Sequence, residues 1–457
     1  MINSVPTTGN DYGTFRSWIK RDRGRALSCR HCRLGVLAIL LWLVSGAVSG
    51  YPALPDSDGQ EHLGVATCAS SVCHGSALER ESTSVLQNEF VTWSRYDQHR
   101  NAYNTLLSQD SQRIARNLGL ENAHEADICL DCHADNVPAE LRGERFDITD
   151  GVGCESCHGG SEQWIASHIL PATAQEKPIG LYPTASPEAV ARLCLSCHLG
   201  TEDKFTTHRI MGAGHPRLSF ELVTFMELMP PHWARDDDYQ TRKGDSNLVN
   251  LWVVGQLMAA QEMLELMEHH WVSNPQLVPE VALFDCHACH HAMSEQRWKP
   301  FELIAGVEPG ALRVNLAPFA FVLPIYEGLI GEPNAQMLDS IRALNKATSG
   351  STATFQTALS ALKVGLSQAR DRAPSKITVE HSQSMLRAIA RNAAEGDYRD
   401  YALAEQAAMA MNLMLESTGQ WQSTRPEMDE LFQVLASEDN YLPEAFAAAA
   451  AQLSKAL

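Results

Sequence analysis

The chain has 457 residues, 44% of them hydrophobic and 20% charged, the balance of an ordinary globular protein with room for two or three domains. Its formal charge of −19 argues against nucleic acid and against an anionic lipid surface as partners. Twelve cysteines would be unremarkable alone, but ten of them fall into five close pairs, each followed at once by a histidine.

Residues 1–49 read as an export signal. Arg16, Lys20, Arg21, Arg23, Arg25, Arg30 and Arg33 make a basic n-region, Leu34 to Val48 an apolar run, and Ala47, Ser49 and Gly50 a small-residue cleavage region. The apolar run is short for a spanning helix, so cleavage is expected, and an uncleaved N-terminal anchor is the one route to a membrane. Cys29 and Cys32 lie on the cytoplasmic side of this signal and are followed by Arg33 rather than His, so they stand outside the chemistry. The exported part begins a little later, and its first feature is a cysteine pair.

Cys68-Ala69-Ser70-Ser71-Val72-Cys73-His74 has four residues between its cysteines. Four further segments match CxxCH outright: Cys129 to His133, Cys154 to His158, Cys194 to His198 and Cys286 to His290. Random shuffling of this composition gives about 0.01 such motifs per chain, so their recurrence is not accidental. The spacing fits haem c. Two thiols reach the vinyl groups on one porphyrin edge, and the adjacent imidazole turns under the ring to meet iron. A single helical turn places these three side chains on one side. Zinc is the competing reading, but it needs no histidine directly after every cysteine pair. CxxC disulfides are strained and redox-active rather than structural. The expectation is five covalently bound haem c groups, attached at Cys68, Cys73, Cys129, Cys132, Cys154, Cys157, Cys194, Cys197, Cys286 and Cys289. His74, His133, His158, His198 and His290 are then the proximal iron ligands, and no lysine-ligated CxxCK site occurs.

A carrier iron needs a second axial ligand, whereas a catalytic iron keeps that position open. Local context favours His99 in an aromatic stretch, His124 five residues before Cys129, His168 ten residues after His158, and His208 and His215 around a Gly-Ala-Gly turn. His62, His232, His269, His270 and His381 read as structural or solvated, and Met211 and Met293 as packing residues. His287 and His291 flank the last attachment site, where sharing that site's iron is awkward, although His291 is placed to serve a neighbouring haem.

Several pieces in this order resemble the cytochrome c-554 family of multihaem cytochromes: WSRYDQHRNAY, AHEADICLDCHA, GVGCESCHGGSEQWIASH, and RLCLSCHLG followed by HRIMGAGHPRLSFE. FDCHACHHAM with Arg297-Trp298 is similar to larger members of the group. The resemblance covers about residues 61–300. It implies a mostly helical, loop-rich fold around close-packed haems, electron transfer as the role, and His99, His124, His168, His208 and His215 as distal ligands. The tetrahaem relative has one five-coordinate haem; this chain departs from it in its fifth site and in the CX₄CH spacing of the first.

Residues 171–190 are rich in Pro and Ala and read as an excursion, and Pro230-Pro231 with Asp236 to Asp238 as a loop. Leu248 to Met267 has the period of an amphipathic helix, with Leu251, Val254, Leu257, Met258, Leu264 and Met267 on its apolar side. Past residue 300 there is no cysteine, and helical patterns recur at 337–346, 353–370, 379–394, 401–415, 428–435 and 443–453. The fold class is therefore mainly α: a signal peptide or anchor at 1–49, a loop-rich pentahaem domain at 61–300 and a cofactor-free helical bundle at 301–457. The bundle reads as a cover for the haem domain or as a docking surface. The functional expectation is a periplasmic or otherwise exported electron carrier whose acidity steers it toward redox proteins with basic docking surfaces. The alternative is an oxidoreductase acting on a small nitrogen or sulfur compound at one five-coordinate haem, with the atypical Cys68–His74 site as candidate.

Overall fold

Brief helices joined by 3-10 turns carry the cysteine motifs, and longer helices build the rest. The computed structural model describes residues 51–80, 85–169, 179–237, 239–240, 247–274, 279–290, 302–308, 310–372, 374 and 376–457. The export signal, Cys29 and Cys32, residues 171–178, His291, Met293 and Arg297-Trp298 lie outside these. The fold is mainly α, loop-rich toward the N-terminal side and a helical bundle toward the C-terminal side, as the sequence predicts.

The motif-bearing part contains α1 (Glu89–Tyr96), α2 (Ala102–Leu106), α3 (Gln109–Leu118), α4 (Asp127–His133), α5 (Glu155–His158), α6 (Pro187–His198), α7 (His208–Gly212) and α8 (Leu222–Leu228). Local chemistry sets their ends. The Ser108 hydroxyl accepts from the Ser111 N–H to start α3, and Gly119 at φ 79° stops it in the left-handed conformation that glycine tolerates. Ser186 and Pro187 start α6 as cap and first-turn proline. The apolar clusters here are small. One joins Tyr103, Leu106, Ala115, Ala123, Leu130 and Ala134, and another only Leu54, Tyr182 and Ala189. Such clusters are too thin to offset the ordering entropy of this much loop, so other contacts must contribute.

The main core is elsewhere. Its axis is α9 (Leu248–Met267), capped by the Asn247 side chain, which accepts from the N–H groups of Val249 and Asn250. The sequence predicts an amphipathic helix; the structure buries or half-buries every residue of α9, with Trp252, Leu264 and Met267 fully enclosed. The reason is its surroundings. It is packed by α6 and α8 from the motif-bearing part, and by α10 (Val322–Ile330), α12 (Thr352–Arg372) and α14 (Tyr401–Ser417) from the bundle. A helix with neighbours on all sides has no use for a polar face. The core therefore runs continuously from Val223 to Leu453.

α11 (Ala335–Ala347), α13 (Val379–Glu395), α15 (Trp421–Val434) and α16 (Pro443–Ala456) complete the bundle. Periodicity places most of these helices to within a few residues. α15 starts seven residues before its predicted onset because Pro426 sits inside it rather than ahead of it. α10 was invisible to periodicity, since Pro324 and Gly328 read as breakers, yet Val322, Ile325 and Gly328 are buried against α13. No described helix is long and apolar enough to cross a membrane.

Gly328 shows how tight that packing is. A Cβ there would stand 2.2 Å from Met385 Cγ and 2.9 Å from the Met385 backbone nitrogen. Gly328→Ala is expected to destabilise the fold by about 1–3 kcal/mol, read as a lower urea midpoint. An unchanged midpoint would mean that α10 and α13 separate at no cost.

Candidate haem sites

The attachment motifs share one backbone device. In Cys154–His158 the histidine N–H donates to the first cysteine's carbonyl at 2.9 Å, and in Cys286–His290 it does so at 2.7 Å. At Cys129 and Cys194 the motif is the last turn of α4 and of α6, where helical geometry supplies the same contact. The longer first motif closes on the same atom: the His74 N–H donates to the Cys68 carbonyl at 3.3 Å. Two extra residues are taken up by bonds from Cys73 N–H and Gly75 N–H to the Ser70 carbonyl. The CX₄CH loop thus presents its histidine after its cysteines as the regular motifs do.

Each of the five histidines faces a second imidazole. The ring centres are 6.2 Å apart for His74 and His168, 6.4 Å for His133 and His215, and 6.5 Å for His158 and His232. They are 6.3 Å apart for His198 and His99, and 6.1 Å for His290 and His208. An imidazole nitrogen stands about 2 Å from a bound transition metal and roughly 1 Å from its own ring centre, so two rings on opposite sides of one metal lie about 6 Å apart. Edge-to-face aromatic contact spans similar distances. A chance contact does not, however, give every attachment histidine a different histidine at one spacing. Among the described residues no three His, Cys, Asp or Glu side chains converge on one point as a zinc cage would need.

Of the five histidines expected as distal ligands, His99, His168, His208 and His215 lie opposite an attachment histidine. His124 does not. Its ring lies edge-on to Tyr103 at 6.3 Å, with Gln112 Nε2 at 3.4 Å from its Nδ1. The fifth facing ring belongs to His232, which sequence reasoning set aside as structural or solvated. The one available signal was its place after Pro230-Pro231, two rigid residues that fix the approach of a loop. His269 and His270 pack on each other, His270 also against Phe205, and His381 caps α13.

Hydrogen bonds through Nδ1 hold five of these rings. His133 Nδ1 donates to the Ala102 carbonyl at 3.1 Å, His168 to Ile165 at 2.7 Å and His215 to Pro216 at 2.8 Å. Two acceptors are carboxylates instead: Glu89 Oε2 for His74 and Asp97 Oδ1 for His99, each at 2.9 Å. Burial lowers the pKa of His133 and His232 and brings His198 down to about 4, favouring the neutral, ligating imidazole. His74 and His99 are raised, chiefly by those carboxylate hydrogen bonds. Burial works against the Glu89 and Asp97 carboxylates, but the hydrogen bonds from the two imidazoles and from backbone N–H groups outweigh it and keep both below their ordinary values.

Motifs distant in sequence meet through their sulfurs. Cys68 lies beside Cys154, and Cys197 Sγ stands 3.9 Å from the Asp131 carbonyl inside the second motif. Around Cys286 the bundle takes part: a cavity of about 370 Å³ is lined by Cys286, His198 and Met211 together with Asp400 and Tyr441.

Residues 67–159 match the cytochrome c554 and c-prime family. That segment is similar to the c-type cytochromes of the c554 family. A c-type cytochrome binds haem covalently and works in electron transfer, and the matched segment holds the first three attachment motifs, with the fourth and fifth beyond it. No curated protein and no solved structure matches the chain.

The residues before the first motif are tied to the matched segment by a buried histidine. His62 Nδ1 lies 2.9 Å from Asp135 Oδ2 and Nε2 lies 3.2 Å from the Pro55 carbonyl. Both neighbours only accept, so the doubly protonated ring satisfies both. Burial lowers its pKa, but the Asp135 hydrogen bond and charge outweigh that and raise it above 6.5. A raised folded-state pKa stabilises fully below the unfolded value and is lost as pH rises through the folded one. Thermal stability is therefore expected to fall as pH rises from about 6.5 through that higher value, and His62→Gln should flatten this part of the melting profile. An equal slope in the variant would remove His62 from the account.

Proposed function

We propose that this chain is an exported electron carrier holding five haem c groups, each between two histidines. Five facing imidazole pairs carry this reading. His74 with His168, His133 with His215, His158 with His232, His198 with His99 and His290 with His208 each supply a proximal and a distal nitrogen at a spacing that fits one iron. Bound haem c supplies an iron that alternates between ferric and ferrous states. The two imidazoles of each pair would hold it and would keep water and small substrates off the metal. This favours a carrier over an oxidoreductase acting on a small nitrogen or sulfur compound, which needs one open position. The Cys68–His74 site, the candidate for such chemistry, has His168 on its other side.

The sulfur contacts support short transfer distances. Cys68 beside Cys154 draws the first and third attachment edges together, and Cys132 beside Cys197 the second and fourth. The bundle serves as a wall for the fifth site, through Asp400 and Tyr441. The basic n-region and apolar run favour a periplasmic or similar compartment, where haem attachment takes place, and the acidic balance favours redox partners with basic docking surfaces.

Pyridine haemochrome analysis of the mature protein is expected to give five c-type haems per chain, all low-spin in the ferric state. A lower count, or a native high-spin signal, would remove the carrier with five closed sites. Replacing His232 by Ala should turn one haem high-spin, whereas His124→Ala should leave every haem low-spin. The opposite pattern would exchange the two histidines' roles.

A further inference from the structure

The five sites differ in what holds their imidazoles. At the second site both Nδ1 groups donate to neutral carbonyls, Ala102 for His133 and Pro216 for His215. At the first and fourth sites one imidazole donates to a carboxylate: Glu89 for His74, Asp97 for His99. Asp97 is 5% exposed, and it is held further by the His99 N–H at 2.9 Å. Glu89 also accepts from the Gln87 N–H at 3.1 Å through its other oxygen, so neither carboxylate is free to swing away.

A hydrogen bond to an ionised acceptor is roughly twice as strong as one to a neutral carbonyl. It draws the Nδ1 proton outward and leaves more negative charge on the ring. A more basic imidazole binds ferric iron better than ferrous, and outer hydrogen bonds of this kind are among the levers that set a haem's potential.

From these contacts, and resting on the ligation proposed above, we infer that Glu89 and Asp97 are positioning residues that hold the first and fourth haems below the second in potential. Cys197 Sγ of the fourth motif stands 3.9 Å from the Asp131 carbonyl of the second, so this difference falls across one adjacent pair. The fourth site is then the last of that pair to accept an electron and the first to release it. Both carboxylates also lie within Coulombic reach of His232. That influence is common to the two and gives them no separate targets, whereas the hydrogen bonds assign one site to each.

The test compares wild type with Glu89→Gln, Asp97→Asn and the double variant as full-length, haem-loaded proteins. Both replacements keep shape and an accepting oxygen, and asparagine remains a good cap for the turn at His99. Haem content is read by pyridine haemochrome, and potentials by a dithionite titration followed by electron paramagnetic resonance. Each single variant is expected to keep five haems and to shift one low-spin component to higher potential with an altered g-tensor. The component should differ between the variants, and the double variant should show both shifts. Unchanged potentials in proteins with full haem content would overturn the inference while leaving the ligation intact. Movement of the same component in both variants would overturn the assignment of one site to each carboxylate. A wild-type protein without haem would sink the ligation and the inference together.

Discussion

The distance across each pair of facing imidazoles is the constraint on which the motif-bearing part depends. Two rings at about 6 Å are too far apart to stack tightly and are spaced for a metal between them. Around them the chain offers few apolar residues: Leu54, Tyr182 and Ala189 make up one whole cluster. A segment so poor in side-chain core holds its shape through hydrogen bonds such as those of buried Glu155, which accepts from the N–H groups of Leu63, Gly64 and Ser161. The C-terminal side is built on a different principle. There Trp252, Phe321 and Tyr398 pack ring against ring among aliphatic helices, and full burial of an apolar side chain such as Phe321 contributes about 1.5–3 kcal/mol.

The two principles meet at α9. It touches α8 and α6, the helix that ends in the fourth motif, and also carries α10, α12 and α14 of the bundle. The bundle is thereby joined through α9 to the helix that bears His198, and it lines the space beside Cys286.

What the sequence made legible follows from the range of each interaction. Each cysteine motif keeps its histidine within one turn of backbone, so its local geometry follows from spacing, the stretched Cys68–His74 loop included. The bundle helices were readable because burial at a 3.6-residue period leaves its trace locally, except in α10, where Pro324 and Gly328 hide it. The facing histidines obey no local rule. His124 looked suitable because it lies five residues from Cys129, yet the turn that bears it directs it toward Tyr103. His232 arrives from a loop more than seventy residues beyond His158, and only the rigid Pro230-Pro231 before it marks its approach in the sequence. The family match has the same limit: it ends at Gly159, while the histidines facing its three attachment sites are His168, His215 and His232.

The order of these pairs along the chain has a topological consequence. The spans 74–168, 99–198, 133–215, 158–232 and 208–290 overlap like links, each opening before the previous one has closed. None is nested inside another as a hairpin would be. A break anywhere between His74 and His290 parts at least one facing pair, so the pairing ties this whole stretch of chain together.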